Sequence, residues 1–207
     1  MPDAASATAT ATVGDLVAAF LEECGVATAF GVISIHNMPI LDAFARRNRI
    51  RFVPARGEAG ALNMADAFAR VTGGLGVGIT STGVAAGNAA GSLVEALTAG
   101  TPVLHLTGQV ELSYLDRNRS YIHEAPRQPD MLKSVSKAFF RIWSAQEALG
   151  VLREAARTAL TPPMGPVSVE IPIDVQAAQV AWPERIAAAP VPPQSPSPAI
   201  ASLSMAR

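Results

Sequence analysis

An acidic residue between glycines follows an apolar, strand-like run in the first third of the chain. The run covers residues 50–54, and the acidic residue is Glu58, in the sequence RGEAGA that starts at Arg56. In open α/β sheets, ligands bind beyond the carboxyl ends of the strands, so Glu58 is well placed for a functional role. The pattern also allows a purely structural role, in which Glu58 interacts with the positive end of the helix that follows.

Two further segments with functional side chains follow the next two apolar runs. The first contains Thr82, Gly83 and Asn88, and its small residues and backbone amides suit the close approach of an anion or a planar ring. The second contains Gln109, whose amide offers both a donor and an acceptor. Neither segment matches a Walker A loop or the three-glycine Rossmann fingerprint, and each is also compatible with a simple turn.

The three histidines and the single cysteine do not have the spacing of metal ligands. His105 lies within an apolar strand and is expected to be a hydrogen-bonded core residue. His36 directly follows a predicted strand, and His123 lies in a long loop. Both are candidates for lining a pocket. Cys24 lies at a predicted helix end and is expected to be a buried small hydrophobe. We therefore expect no metal site made by this chain alone.

Apolar β-branched runs alternate with helical stretches along the chain, which is the pattern of a parallel sheet covered on both faces. The expected fold class is α/β, with a parallel sheet of about six strands and helices on both faces. The predicted strands are residues 26–32, 50–54, 76–81, 102–107, 138–142 and 166–171. The predicted helices are residues 12–25, 38–48, 57–72, 83–99, 129–135 and 145–160, and residues 108–127 are predicted to be a functional loop.

The ends of the chain differ in composition from its centre. Residues 1–12 are rich in Ala and Thr and are expected to be a disordered leader, whereas 182–207 contain six prolines and are expected to be a linker or tail. Residues 13–181 form the predicted domain. A net charge of −1 gives no reason to expect nucleic acid or a membrane as a partner, and a single cysteine is typical of a reducing cytoplasm.

Taken together, the strand-end segments and their order resemble the N-terminal, pyrimidine-binding domain of the acetolactate synthase and benzoylformate decarboxylase group of thiamine-diphosphate enzymes. The resemblance runs from about residue 13 to residue 174. The segments that carry it are AFGV from Ala29, RGE from Arg56, TG from Thr82 with Asn88, LTGQV from Leu106, and GPV through IPID at the end of the domain.

The resemblance implies a role for each candidate residue. Glu58 would hydrogen-bond N1′ of the aminopyrimidine ring and favour the imino form, whose 4′-nitrogen removes the C2 proton of the cofactor. Thr82, Gly83, Asn88 and Gln109 would line the same cofactor pocket. The segments of His36 and His123 would approach a 2-keto acid substrate, which is decarboxylated and joined to an acceptor.

The chain also departs from the family pattern. The frequent Pro-Gly-Gly after the first strand is replaced by ISI at Ile33, and the Gly-Pro-Gly turn by GVA at Gly83. No Gly-Asp-Gly motif occurs, so we expect Mg²⁺ and the diphosphate to be bound by another domain or partner chain. A homodimer or such a partner is expected, the chain alone is expected to be inactive, and the sequence leaves open whether FAD is bound.

Three interpretations stay open at this point. The chain is the half-site of a thiamine-diphosphate lyase or transferase, either as the N-terminal piece of an interrupted gene or as a subunit of a split decarboxylase. Alternatively, it is a non-catalytic binding or regulatory module with the same fold. A generic nucleotide-binding Rossmann domain is disfavoured because the glycine fingerprint is lacking.

Overall fold

The structure, a computed structural model, describes residues 11–186. The strands are β1 (Ala11–Thr12), β2 (Thr28–Gly31), β3 (Arg51–Pro54), β4 (Gly76–Thr80), β5 (Val103–Gln109), β6 (Ala138–Arg141), β7 (Val167–Pro172) and β8 (Gln179–Val180). The helices are α1 (Val13–Glu23), α2 (Met38–Arg47), α3 (Glu58–Thr72), α4 (Val84–Ala99), α5 (Gln128–Val135), α6 (Ala148–Leu160) and α7 (Ile173–Ala177). A 3-10 turn, Ile35–Asn37, precedes α2.

Six of the strands form one parallel sheet in the order β3-β2-β4-β5-β7-β6. The predicted fold class and the predicted strands are therefore confirmed. The sequence did not predict the short antiparallel pair β1-β8, in which Ala11 lies opposite Val180.

The two faces of the sheet differ in chemistry because neighbouring strand residues point in opposite directions. One face carries branched apolar side chains, such as Val77, Leu104 and Val169, which pack against α1, α2 and α6. The other face lies under α3, α4 and α5 and carries small or polar residues in the centre of the sheet. These are Gly76, Gly78, Thr80, His105, Thr107, Gln109, Ser168 and Glu170.

Helix α3 approaches β4 so closely that a side chain at Gly76 has no room. A Cβ atom at Gly76 would lie 2.3 Å from the carbonyl oxygen of Ala65, in the middle of α3. This close packing fixes the depth of α3 relative to the sheet. Glu58, the first residue of α3, is positioned as a result.

Helix α1 begins with a capping box formed by Thr12 and Asp15. The Thr12 hydroxyl accepts a hydrogen bond from the Asp15 amide at 3.2 Å, and the Asp15 carboxylate accepts one from the Thr12 amide at 2.9 Å. This reciprocal pair satisfies two of the otherwise unpaired amides at the start of a helix. Thr12 thus belongs to the packed domain, although the composition placed it in the leader.

The first residues of the predicted tail also contact the domain. The Arg47 guanidinium lies 5.9 Å from the centre of the Trp182 ring, and Ile186 packs against the core on the side of α1 and α6. The rest of the predicted leader and tail, residues 1–10 and 187–207, lies outside the described residues.

The connection between β5 and α5 crosses directly over Gly83. A Cβ atom at Gly83 would lie 1.7 Å from the carbonyl oxygen of His123, and Gly83 has a φ of +59°, which L side chains rarely adopt. Within the connection, the rings of Tyr114 and Tyr121 stack with their centres 3.9 Å apart. The turn before α4 therefore requires glycine for both its conformation and its contacts.

His105 is part of a buried hydrogen-bonded chain that crosses three strands. Its Nε2 lies 2.8 Å from the Thr80 hydroxyl and its Nδ1 lies 3.0 Å from the Ser168 hydroxyl. Burial lowers the pKa of His105 from 6.5 to about 3. The ring is therefore neutral at physiological pH, with one nitrogen as donor and the other as acceptor.

Replacing Gly83 with alanine is expected to lower the free energy of unfolding by roughly 2–4 kcal/mol, because the new methyl group collides with the His123 carbonyl and φ is unfavourable. The matched control is Gly87→Ala in α4, where a Cβ atom meets nothing within 4 Å. That change should raise the free energy of unfolding by about 0.5–1 kcal/mol, since alanine favours the helix. Urea denaturation measures both values, and equal effects of the two changes would contradict the described turn.

The neutral state of His105 predicts a loss of stability in acid. The unfolded chain binds a proton at this histidine near pH 6.5 and the folded chain only near pH 3, so stability falls as the pH decreases through this window. His105→Gln should lower stability at neutral pH but make its decrease between these pH values less steep. Denaturation curves of wild type and His105→Gln across the window measure the slope. Identical slopes for wild type and His105→Gln would refute a buried neutral ring.

Candidate functional site

A cleft of about 230 Å³ lies at the carboxyl ends of β2 and β4, where α3 and α4 begin. It is the position that the parallel sheet predicts for a ligand site. The residues that line it are Val32, Ile33, Ser34, Glu58, Ser81, Thr82, Val84, Ala85 and His123. Four segments that are distant in the sequence thus meet at one edge of the sheet.

Glu58 lies in the first turn of α3 and is partly buried in the wall of the cleft. Its Oε2 accepts a hydrogen bond from the side-chain amide of Asn88 at 3.0 Å. Among the described residues, no donor hydrogen-bonds Oε1. The structure therefore brings Glu58 and Asn88 together, and leaves one carboxylate oxygen available to a ligand.

Thr82 and Gly83 form the turn between β4 and α4, and the buried Thr82 borders the cleft. The Thr82 hydroxyl donates to Oε1 of Gln109 at 2.6 Å. The Gly83 amide donates to Oε1 of Gln128 at 2.5 Å. The turn is thus held from behind by two glutamine side chains.

Gln109 does not line the cleft. Only 1% of its surface is exposed, and its Oε1 accepts from Val110 N at 2.8 Å as well as from Thr82. The side chain follows the alternation of β5 and points to the same face as His105. The structure therefore places Gln109 behind Thr82, where it supports the turn and does not face a ligand directly.

His36 and His123 approach the cleft in different ways. His36 is buried, and its Nδ1 lies 3.3 Å from the hydroxyl of Ser81, which lines the cleft. Burial lowers the pKa of His36; the charge of Glu111 opposes this decrease and the nearby His123 adds to it. His123 lines the cleft itself and is exposed.

Two hydroxyl groups near His36 were not among the candidate site residues predicted from the sequence. The Ser34 hydroxyl donates to the Ser81 hydroxyl at 2.7 Å, and both residues line the cleft. Ser81 is the last residue before Thr82, so its place directly after β4 was an available signal. Ser34 lies in a segment that departs from the family pattern, and no sequence signal distinguished it.

A buried charged group behind the turn was also missed. Glu170 in β7 has no exposed surface, and its Oε1 forms an ion pair with Nε of Arg141 at 2.5 Å. Its Oε2 accepts from the Gln128 side chain at 2.8 Å. Burial raises the pKa of Glu170, and the Arg141 charge and the hydrogen bonds from Gln128 and Gln109 oppose this increase.

The described part of the chain contains neither a metal-binding cluster nor a membrane-spanning helix. Between residues 11 and 186, no group of three or more His, Cys, Asp or Glu side chains is arranged to hold a metal ion. In the same residues, no helix combines the length and the apolar composition that crossing a bilayer requires.

The chain matches a known protein family and several of its members. Residues 11–132 match the family described as thiamine pyrophosphate enzyme, N-terminal TPP binding domain. The chain is 32% identical over 168 residues to the acetolactate synthase large subunit of Corynebacterium glutamicum, an alignment that covers 80% of this chain and 26% of that protein. It is 31% identical over 162 residues to the chloroplastic acetolactate synthase 2 of Nicotiana tabacum. That alignment covers 78% of this chain and 24% of the tobacco protein.

A relative with a different name matches equally well. Glyoxylate carboligase of Escherichia coli O157:H7 is 32% identical over 161 residues, or 77% of this chain and 27% of the relative. The chain thus spans about a quarter of the length of the relatives that it matches. The family match, which extends over more than half of the chain, shows that the chain belongs to the thiamine-pyrophosphate enzymes, as their N-terminal TPP-binding domain.

Proposed function

We propose that the cleft binds the aminopyrimidine ring of thiamine diphosphate and that Glu58 is the hydrogen-bond partner of N1′. The observation that carries the proposal is the Glu58 carboxylate in the cleft wall, with Oε2 bonded to Asn88 and Oε1 unbonded among the described residues. The position of the cleft at the carboxyl edge of the sheet supports it.

The lining of the cleft fits a planar heteroaromatic ring. Ile33 and Val84 expose 62% and 64% of their surfaces, and a ring placed against them would remove apolar surface from water. Ala85 leaves space, and Glu58 supplies the acceptor that a ring N–H group requires. Apolar walls with a few polar groups are typical of cofactor sites.

Thiamine diphosphate, when bound, supplies the nucleophilic carbon and the electron sink that decarboxylation of a 2-keto acid requires. The residues of this chain orient the ring and hold a proton at N1′. In this role, Glu58 is the catalytic residue and Asn88 fixes the direction of its carboxylate. Thr82 and Gly83 border the ring, and Gln109 holds Thr82 in place.

The substrate side of the proposal involves His123, Ser81 and, behind Ser81, His36. The names of the relatives support a reaction on a 2-keto acid, since they are acetolactate synthases and a glyoxylate carboligase. We therefore propose a lyase or transferase that decarboxylates a 2-keto acid and joins the product to an acceptor. Nothing in this proposal requires FAD.

The remaining half of the cofactor is assigned to another domain. Gly-Asp-Gly, the family's motif for Mg²⁺ and diphosphate, does not occur in the 207 residues. We propose that a diphosphate-binding domain, in a second copy of a longer chain or in a separate partner, completes the site. The assembly is proposed to be a cytoplasmic dimer of such units.

Glu58→Gln tests the proposal. Combined with a diphosphate-binding domain, thiamine diphosphate and Mg²⁺, the wild-type chain should decarboxylate a 2-keto acid such as pyruvate or glyoxylate. Glu58→Gln should reduce kcat by about 100-fold or more, because the amide cannot take part in proton exchange with N1′. The rate of carbon dioxide release measures the effect.

The control is Glu95→Gln, an exposed carboxylate on α4 that contacts Arg70 at 3.3 Å, and its activity should equal that of the wild type. Equal activity of Glu58→Gln and wild type would remove Glu58 from the mechanism. Calorimetric titrations of the same assembly with thiamine diphosphate and with NAD distinguish the alternatives. Binding of NAD but not of thiamine diphosphate would favour a nucleotide-binding module. Binding of neither compound would favour a non-catalytic module.

A further inference from the structure

The Gln128 side chain connects the cleft turn to the buried charge of Glu170. Its Oε1 accepts from the Gly83 amide at 2.5 Å and lies 3.2 Å from the Thr82 hydroxyl, while its Nε2 donates to Glu170 at 2.8 Å. Since the Gly83 N–H can only donate and the ionised Glu170 carboxylate can only accept, the Gln128 amide has one permitted orientation. Gln128 is also 1% exposed, so water does not compete for these bonds.

Glu170 is in turn fixed by Arg141, which extends the contacts to the long connection after β5. The Arg141 side chain is 7% exposed, and its Nη1 forms an ion pair with Asp116 at 2.8 Å. Asp116 belongs to the same connection whose His123 carbonyl lies over Gly83. The turn and the loop that covers it are therefore attached to one buried ion pair.

The turn needs such an acceptor because its conformation is unusual. Gly83 has φ +59° and ψ −107°, outside the common helical and extended regions. A strained turn persists where the surrounding contacts determine it, and here the contacts at the Gly83 amide and the Thr82 hydroxyl come from two glutamines, Gln109 and Gln128. Without Gln128, the Gly83 amide is left buried and without a partner.

We propose that Gln128 is a positioning residue. It holds the Thr82–Gly83 turn in the conformation that receives the pyrimidine ring, and Glu170 and Arg141 hold Gln128. The part of this inference that concerns the ring rests on the proposed function, whereas the part that concerns the turn does not. Gln128 touches neither the cleft nor the reacting atoms, so it acts through the turn.

An exchange of side chains between positions 128 and 170 tests the inference. Gln128→Glu places two carboxylates 2.8 Å apart, and they must share a proton or separate. With Glu170→Gln added, the amide at position 170 donates to the carboxylate at position 128. That carboxylate still accepts from the Gly83 amide, and the amide oxygen at position 170 still accepts from Arg141. The double variant should therefore recover what Gln128→Glu loses.

The first measurement is hydrogen exchange of the Gly83 amide in the full chain, relative to the core amide of Leu104. Gln128→Glu should accelerate exchange at Gly83 by about 10-fold or more at neutral pH, and less at pH 5, where a shared proton is available. The double variant should return to within about threefold of wild type. The control is Asp130→Asn, an exposed carboxylate in the same helix, which should leave Gly83 unchanged.

The second measurement is the concentration of thiamine diphosphate that gives half-maximal activity in the complemented assay. It should rise by about 10-fold in Gln128→Glu and recover in the double variant, which a loss of overall stability alone would not produce. If wild type shows no activity, the proposed function fails, while the exchange rates still decide the role of Gln128 at the turn.

Unchanged exchange at Gly83 in Gln128→Glu would overturn the inference, as would a double variant no better than the single one. If Gln128→Glu does not fold, Gln128→Ala replaces it, because alanine introduces no charge. Exchange at Gly83 that is as slow in Gln128→Ala as in wild type would likewise overturn the inference.

Discussion

A carboxylate that cannot reach water constrains the whole carboxyl edge of the sheet. Glu170 has no exposed surface, and a charge in that position is tolerated only when its oxygens are paired. Its two oxygens are used by Arg141 at the end of β6 and by Gln128 at the start of α5. The Glu170 carboxylate therefore fixes the relative positions of the end of β6, the start of α5 and, through Gln128, the cleft turn.

The polar face of the sheet explains why this arrangement is stable inside the domain. The strand predicted at residues 102–107 was expected to be apolar, as is typical of a central parallel strand. In the structure it alternates, with Leu104 and Leu106 on one face and His105, Thr107 and Gln109 on the other. Both sets are buried, and the polar set is hydrogen-bonded to neighbouring strands and to the turn. A parallel strand covered on both faces can therefore carry a polar side.

Much of the fold was predictable from the sequence, as was the position of several candidate residues at the carboxyl edge of the sheet. The order of strands and helices followed from the alternation of apolar runs, and the segment after each strand located Glu58, Thr82 and Gly83. The direction of Gln109 was not predicted, because a residue at the end of a strand was assumed to face the ligand. Because side chains alternate between the two faces of a strand, Gln109 was already predicted to lie on the same face of β5 as His105. Gln128 could not be found in this way, since its bonds join residues more than 40 positions apart in the sequence.

The pairing of β1 with β8 has a consequence for how this domain is joined to other segments. Ala11 and Val180 lie side by side in antiparallel strands, so the first described strand lies next to the segment that leads to Trp182 and Ile186. The two terminal strands of the domain therefore lie on the same side of it. Such a geometry allows the same fold to be inserted into, or removed from, larger proteins without rearranging its interior.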